Sequence, residues 1–214
     1  MQDLPPPPDC SLCDRLVEFR DENCTAFPSF HNAPVPSFGS LDARLLIVGL
    51  APGLKGANQT GRPFTGDYAG DLLYATLLKF DFATGQYGAV ADDGLRLQNT
   101  RITNAVRCVP PQNKPVGAEV KNCRPFLIGE IDAMANLEII LALGTLAHNA
   151  VLTSLGHKQS AAKFAHGAYH PIGDGRQLHL ADSYHCSRYN TNTGRLTEDM
   201  FCDIFRALKE RLAT

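Results

Sequence analysis

The chain has 214 residues, with 20 Lys and Arg against 22 Asp and Glu for a formal net charge of -2, and a pI near 6.4. That length suits one compact domain able to bury most of its apolar surface. The charge balance excludes a strongly basic, non-specific nucleic-acid binder but permits a local cationic groove. No apolar run reaches the ~18 residues of a membrane span, and the N-terminus opens on polar residues and prolines 5–8 rather than on a charged, then apolar leader. The protein therefore reads as soluble and cytoplasmic.

Residues 1–9 read as a flexible Pro-rich tail, because consecutive prolines supply no backbone donors, and residues 10–214 read as a single domain. Helical patterning over 10–22 is followed by irregular chain over 28–38. Strand character marks 44–48, 100–106, 137–143 and 177–181. The first and third of these are almost wholly apolar, as strands covered on both faces are. Helices are expected at 70–80, 117–135, 145–155 and 197–212. The last carries Glu198 and Asp199 in its first turn and Lys209 and Arg211 in its last, matching the helix dipole. This alternation implies βαβ units and a three-layer α/β/α sandwich with a four-stranded, mainly parallel central sheet. In such sheets the ligand crevice lies beyond the carboxyl ends of the strands. The loops after Val48, Ile102 and Ala181 should therefore converge.

Those loops hold the unusual residues. The first runs Gly49-Leu50-Ala51-Pro52-Gly53-Leu54-Lys55-Gly56-Ala57-Asn58-Gln59-Thr60-Gly61-Arg62-Pro63-Phe64-Thr65-Gly66-Asp67. It lacks the Gly-Lys-Ser/Thr ending of a P-loop and the glycine spacing of a dinucleotide fold, which argues against nucleoside triphosphate or NAD. Asn104, at the end of the second strand, offers one acceptor and two donors, enough to read the amide edge of a pyrimidine. Taken alone, such an Asn more often caps a turn. Beyond the fourth strand, His185 precedes the polar loop Ser187-Arg188-Tyr189-Asn190-Thr191-Asn192-Thr193-Gly194-Arg195. That histidine is placed to donate to a developing anion while the loop grips phosphates.

The cysteines divide by spacing. Cys10 and Cys13 form a C-x2-C pair, and Cys108 and Cys123 form a distant second pair. Four thiolates so arranged suit either zinc or an iron–sulfur cluster, and spacing does not choose between them. Cys202 lies on the apolar face of the last helix and reads as core, whereas Cys24 and Cys186 have no assigned role.

Together these motifs resemble the uracil-DNA glycosylases of the iron–sulfur kind, and within them the family 5 branch. The resemblance rests on Gly49-Leu50-Ala51-Pro52-Gly53 through Gly61-Arg62-Pro63-Phe64-Thr65-Gly66-Asp67, on Thr103-Asn104-Ala105-Val106-Arg107-Cys108 with Pro110-Pro111-Gln112-Asn113-Lys114-Pro115, and on His185 through Asn192-Thr193-Gly194-Arg195-Leu196-Thr197. It covers nearly the whole chain from Cys10 onward. It implies a structural [4Fe-4S] cluster on Cys10, Cys13, Cys108 and Cys123, and neither Mg2+ nor a nucleotide cofactor. It further implies a monomeric repair enzyme that flips uracil out of DNA and hydrolyses the N-glycosidic bond, leaving an abasic site. Other deaminated bases such as hypoxanthine are implied as substrates, with hydroxymethyluracil and ethenocytosine behind them.

On this resemblance His185 donates to O2 of the leaving base, Asn104 holds its amide edge and Phe64 stacks on its ring. Leu50, Ala51, Pro52 and Gly53 line the base, and the backbone amides of this stretch, Pro52 excepted, add donors. Asp67 stabilises the sugar cation or orients water, although it serves equally well as a helix N-cap. Ser187, Arg188, Tyr189 and Arg195 contact DNA, Tyr189 being a candidate wedge, and Arg107, Lys114, Lys121 and Arg124 are candidate phosphate contacts. The family 4 branch carries an acid inside Gly-x-Ala-Pro-Gly, where Leu50 and Ala51 supply none, so family 5 fits better. One departure is Cys186, where the usual pattern has Pro. The rival readings are a family 4 enzyme of narrower specificity, or a non-enzymatic iron–sulfur or zinc protein. The second rival leaves the polar strand-end loops without a purpose.

Overall fold

A computed structural model describes residues 5–213 apart from Asp174 and Arg176. Residues 1–4 of the expected tail lie outside the described residues; nearer the domain Pro6 is buried, and the Cys10 N–H donates to the Pro7 carbonyl at 3.0 Å. In chain order the elements are α1 (Asp14–Ala26), β1 (Leu45–Gly49), α2 (Ala57–Thr60), α3 (Tyr68–Lys79), β2 (Ala83–Thr84), β3 (Arg96–Leu97), β4 (Thr100–Asn104), α4 (Gly117–Ala133), β5 (Ile139–Leu143), α5 (Thr145–Ser154), β6 (Tyr169–Pro171), β7 (His179–Ser183), α6 (Arg188–Asn192) and α7 (Glu198–Leu212).

The central sheet has the order β4-β1-β5-β7-β6. Its first four strands pair in parallel, with Leu45 opposite Thr100 and Ile139, and Ile139 opposite His179. These are the four strands expected from the apolar runs. The fifth, β6, is a short antiparallel addition to β7, pairing Tyr169 with Ala181. It ends at Pro171, a residue that sheets tolerate only at an edge. Two-residue strands β2 and β3 make a separate antiparallel pair.

Side chains alternate across a strand, and both faces of this sheet are covered. Leu45 and Ile47 face one core with Leu73 and Leu77 of α3 and Phe201 and Phe205 of α7. Leu46 and Val48 face the other, with Leu127 and Ile131 of α4 and Val151 of α5. That double burial is why β1 and β5 are apolar at every position.

Side-chain caps fix the helix starts. Asp67 accepts from the Gly70 N–H at 3.0 Å at the head of α3, and Thr197 accepts from Met200 at 3.1 Å at the head of α7. Glu119 reaches back to the Val116 N–H at 2.8 Å at the head of α4. The polar stretch after His185 is no open loop but contains α6, whose Ser187 cap accepts from Asn190 at 3.4 Å. Among the described residues, no helix is long and apolar enough to cross a membrane.

Candidate active site

The parallel register sets Gly49 beside Asn104 at the carboxyl edge of the sheet, and β7 ends two residues before His185. A pocket of about 640 Å³ opens there, lined by Leu50, Ala51, Pro52, Gly53, Phe64, Asp67, Asn104, His185, Ser187 and Arg188. The loops after β1, β4 and β7 thus converge as the topology requires. Tyr189 and Arg195 stand outside the lining. Tyr189 is 73% exposed on α6, and the Arg195 guanidinium lies 4.6 Å from the centre of the Tyr184 ring.

Lys55, Tyr68 and Asn113 also line the pocket, and the sequence did not single them out. Tyr68 opens α3, and its ring lies 5.4 Å from the guanidinium of Arg188. Asn113 follows Gln112, and both adopt left-handed backbone with φ of 57° and 56°. The signal for that turn was the Pro110-Pro111 pair, which stops any strand and redirects the chain.

Phe64 owes its place to a braced loop. Its own φ is 53°, a conformation that costs a bulky residue about 1–3 kcal/mol unless its surroundings impose it. Arg62 imposes it. This arginine is 4% exposed, forms a two-pronged pair with Asp93 at 2.6 and 2.8 Å and donates to Thr65 Oγ1 at 2.8 Å. Its guanidinium sits 5.0, 5.2 and 5.8 Å from the ring centres of Phe38, Tyr74 and Tyr87. The Tyr74 hydroxyl donates to the Pro63 carbonyl at 2.7 Å. The hydrogen bond from Arg62 holds the Asp93 carboxyl well below the usual range, so the pair stays charged. So positioned, the Phe64 ring lies 5.9 Å from that of His185 at an interplanar angle of 31°.

Asn104 is 3% exposed, and its Oδ1 is buried without a hydrogen-bond partner among the described residues. A buried acceptor left bare costs about 1–3 kcal/mol. Burial lowers the pKa of His185 from its ordinary 6.5, against an opposing pull from Asp67, so its imidazole is neutral at pH 7. Asn190 Nδ2 donates to the His185 carbonyl at 2.8 Å, tying α6 to the chain that leaves β7. The following Cys186 is fully buried, and its thiol donates to the Ala69 carbonyl at 3.4 Å, a bond that proline lacks.

Asp67 divides its carboxylate. Oδ1 caps α3, as one of the two sequence readings held. Oδ2 faces the glycines of the first loop so closely that a Cβ on Gly56 would lie 2.5 Å from it.

The four cysteines singled out by spacing line one small cavity with Leu12, Leu16, Val17, Val106, Asn122 and Phe126. Asn122 Nδ2 donates to the Leu12 carbonyl at 2.7 Å and to Cys13 Sγ at 3.6 Å, and the Arg107 N–H donates to Cys123 Sγ at 3.4 Å. Arg15 pairs with Glu119 at 2.7 and 2.8 Å, fastening α1 to α4 beside the thiols. Burial and the neighbouring thiols push Cys108 up to about 12, and burial pushes Cys123 up to about 11.

One expected phosphate contact is corrected. Arg107 is 2% exposed. It pairs with Glu130 on α4 and donates to Ser37 Oγ at 2.6 Å, and Glu130 also accepts from Arg101 at 2.6 Å and Thr103 at 2.8 Å. A buried carboxylate 23 residues away claimed the charge. Lys114 and Lys121 are exposed, and Arg124 is partly buried.

The profile of the Uracil DNA glycosylase superfamily matches residues 36–209. A type-5 uracil-DNA glycosylase of Thermus thermophilus is 43% identical over 95% of this chain and 94% of its own. One of Pyrobaculum aerophilum is 38% identical over 92% of this chain and 87% of its own. A type-4 uracil-DNA glycosylase from the same organism is 32% identical over 77% of this chain and 78% of its own.

Proposed function

The chain belongs to the uracil-DNA glycosylase superfamily, in its type-5 branch, and from that footing we propose that it excises uracil and other deaminated bases from DNA by hydrolysing the N-glycosidic bond. The observation that carries this reading is the bare Oδ1 of Asn104, buried in the pocket wall beside Phe64. Uracil presents an N3–H donor next to the O4 acceptor, and an Asn side chain answers both, Oδ1 accepting and Nδ2 donating. Cytosine presents a bare N3 there, which would face Oδ1 acceptor to acceptor. Hypoxanthine presents an N1–H beside O6, the same order of groups as uracil, whereas adenine does not. Deamination creates the edge that this side chain reads.

Extrusion of the base into the pocket brings its ring against Phe64. Cleavage leaves positive charge on the sugar and negative charge on the departing base. A neutral His185 donates an N–H to O2 of that base, and the Leu50, Ala51 and Gly53 amides line the same wall. The Asp67 carboxylate stabilises the sugar cation or holds the attacking water. Ser187, Arg188 and Arg195 meet DNA phosphates, and the exposed Tyr189 on α6 fills the space that the flipped base vacates.

Cys10, Cys13, Cys108 and Cys123 hold a [4Fe-4S] cluster, and their convergence on one small cavity supports it. The backbone and Asn122 donors aimed at the sulfurs suit ligating thiolates. The cluster's role is structural, joining the N-terminal segment to the chain that follows Asn104.

The test is incubation of the purified protein with duplexes carrying one U·G, U·A or hypoxanthine·T pair, followed by alkaline strand cleavage. Cleavage at uracil is expected, and its absence from every duplex defeats the proposal. His185→Ala and Asn104→Ala should each lose most activity while keeping absorbance near 400 nm.

A further inference from the structure

Three side chains away from the pocket meet inside the molecule: His148 on α5, His170 on β6 and Asp182 on β7. One ligand atom of each, a ring nitrogen or a carboxylate oxygen, lies within 4.8 Å of the others. His148 and Asp182 are wholly enclosed, and the His170 side chain is 22% exposed.

The hydrogen-bond roles leave this cluster short of positive charge. His148 Nε2 lies 3.0 Å from the Ala162 carbonyl, which only accepts, so Nε2 carries a hydrogen. In a neutral imidazole Nδ1 is then bare, yet it stands 2.7 Å from Asp182 Oδ1. Two lone pairs do not rest at that distance without a proton or a metal ion between them. His170 Nε2 lies 3.4 Å from Asp182 Oδ2 and is buried without a hydrogen-bond partner among the described residues. Apart from these contacts the carboxylate receives, among the described residues, only a long bond from the Ala165 N–H at 3.4 Å. A proton shared by His148 and Asp182 satisfies the first contact and leaves His170 Nε2 bare; one divalent cation satisfies all three groups.

We propose that His148 Nδ1, His170 Nε2 and a carboxylate oxygen of Asp182 bind a divalent transition-metal ion of the zinc type, with water completing the coordination on the open side of His170. Two imidazoles and a carboxylate are a ligand set zinc accepts at about 2.0–2.2 Å. The bond from the second His148 nitrogen to a backbone carbonyl is the outer contact that fixes the tautomer of metal-bound histidines. The ion would tie the three-residue edge strand β6 and helix α5 to β7 three residues before His185. Its role is to stiffen that strand end, outside the pocket chemistry.

The experiment adds zinc to the purified protein, removes the excess by desalting and reads metal content and zinc K-edge X-ray absorption. One zinc per chain is expected, with a nitrogen and oxygen shell at about 2.0–2.1 Å, no change in iron content, and a higher Tm. His170→Asn, at a partly exposed position, should weaken zinc binding about tenfold or more and abolish the Tm shift. Failure to retain zinc, or a spectrum lacking the nitrogen and oxygen shell, overturns the proposal; the wild-type spectrum decides the matter even if the variant does not fold.

Discussion

The α-carbon of Gly49 is the floor on which Asn104 rests: a Cβ at Gly49 would lie 2.4 Å from Asn104 Oδ1 and 2.5 Å from Phe64 Cζ. Both contacts are far inside van der Waals distance, so the Asn104 amide and the Phe64 ring need a glycine beneath them. Gly49→Ala should therefore lower activity about 100-fold by displacing both groups by roughly 1 Å, and overpacking should cost about 1–3 kcal/mol of stability. Uracil release by folded variant protein measures the first effect and urea unfolding the second; unchanged activity contradicts the placement.

Asp67 can be separated into its two roles by one atom. Asn caps a helix as well as Asp does, so Asp67→Asn keeps the bond to the Gly70 N–H and removes the charge. Its Tm should match that of the wild type while kcat falls on the order of 100-fold or more, as expected when a charged group acts at the reacting centre. Asp67→Ala should lose about 1 kcal/mol of stability in addition. Full activity in the Asn variant would reduce Asp67 to a cap.

The Arg62 brace predicts a large stability effect far from any ligand. Removing one partner of a buried ion pair strands the other and costs about 3–5 kcal/mol. Arg62→Ala leaves Asp93 so stranded and also opens the space between three aromatic rings. Arg62→Lys restores charge without the planar fork, so it should recover only part of the loss. Denaturant midpoints for the two variants give the comparison, and an Ala variant within 1 kcal/mol of wild type rules the brace out.

Mild acid should destabilise the protein through two buried histidines. His185 and His166 both have pKa values lowered from 6.5 by burial. Well above pH 6.5 each is neutral in folded and unfolded chains and contributes no pH slope. Below it the unfolded chain takes up protons that the folded one does not, so stability falls with pH until the folded pKa values are passed. Unfolding free energies between pH 7.5 and about 5 should show that decline, and His185→Asn should make it shallower; an identical slope removes His185 from the account.

What the sequence made legible follows from which physics is local. The apolar runs around Leu45–Gly49 and Ile139–Leu143 read as strands buried on both faces, strand-end logic then pointed to the loops that hold Asn104 and His185, and Phe64 was singled out by the family resemblance. The edge strand Tyr169–Pro171 was hidden because it is short, half-buried and ends in proline, and α6 because no apolar stripe runs along Arg188–Asn192. Arg107 misled because its partner Glu130 lies on another element. An arginine inside a motif looks the same whether it meets a phosphate or a buried carboxylate. Asn113 was hidden because its approach to the pocket depends on a left-handed backbone that no side-chain pattern encodes.

On the proposed function, the left-handed backbone of Phe64 also bears on how a damaged base would be found. A wall locked by a buried arginine, by Tyr74 and by a glycine at position 70, where a Cβ would meet the Phe64 carbonyl at 1.7 Å, would have little disorder to lose when a base arrives. Such a pocket would work as a fixed gauge, its ordering entropy spent once, during folding, rather than at each encounter along the duplex. The time a base spends being judged would then be set by how readily the DNA lets it go.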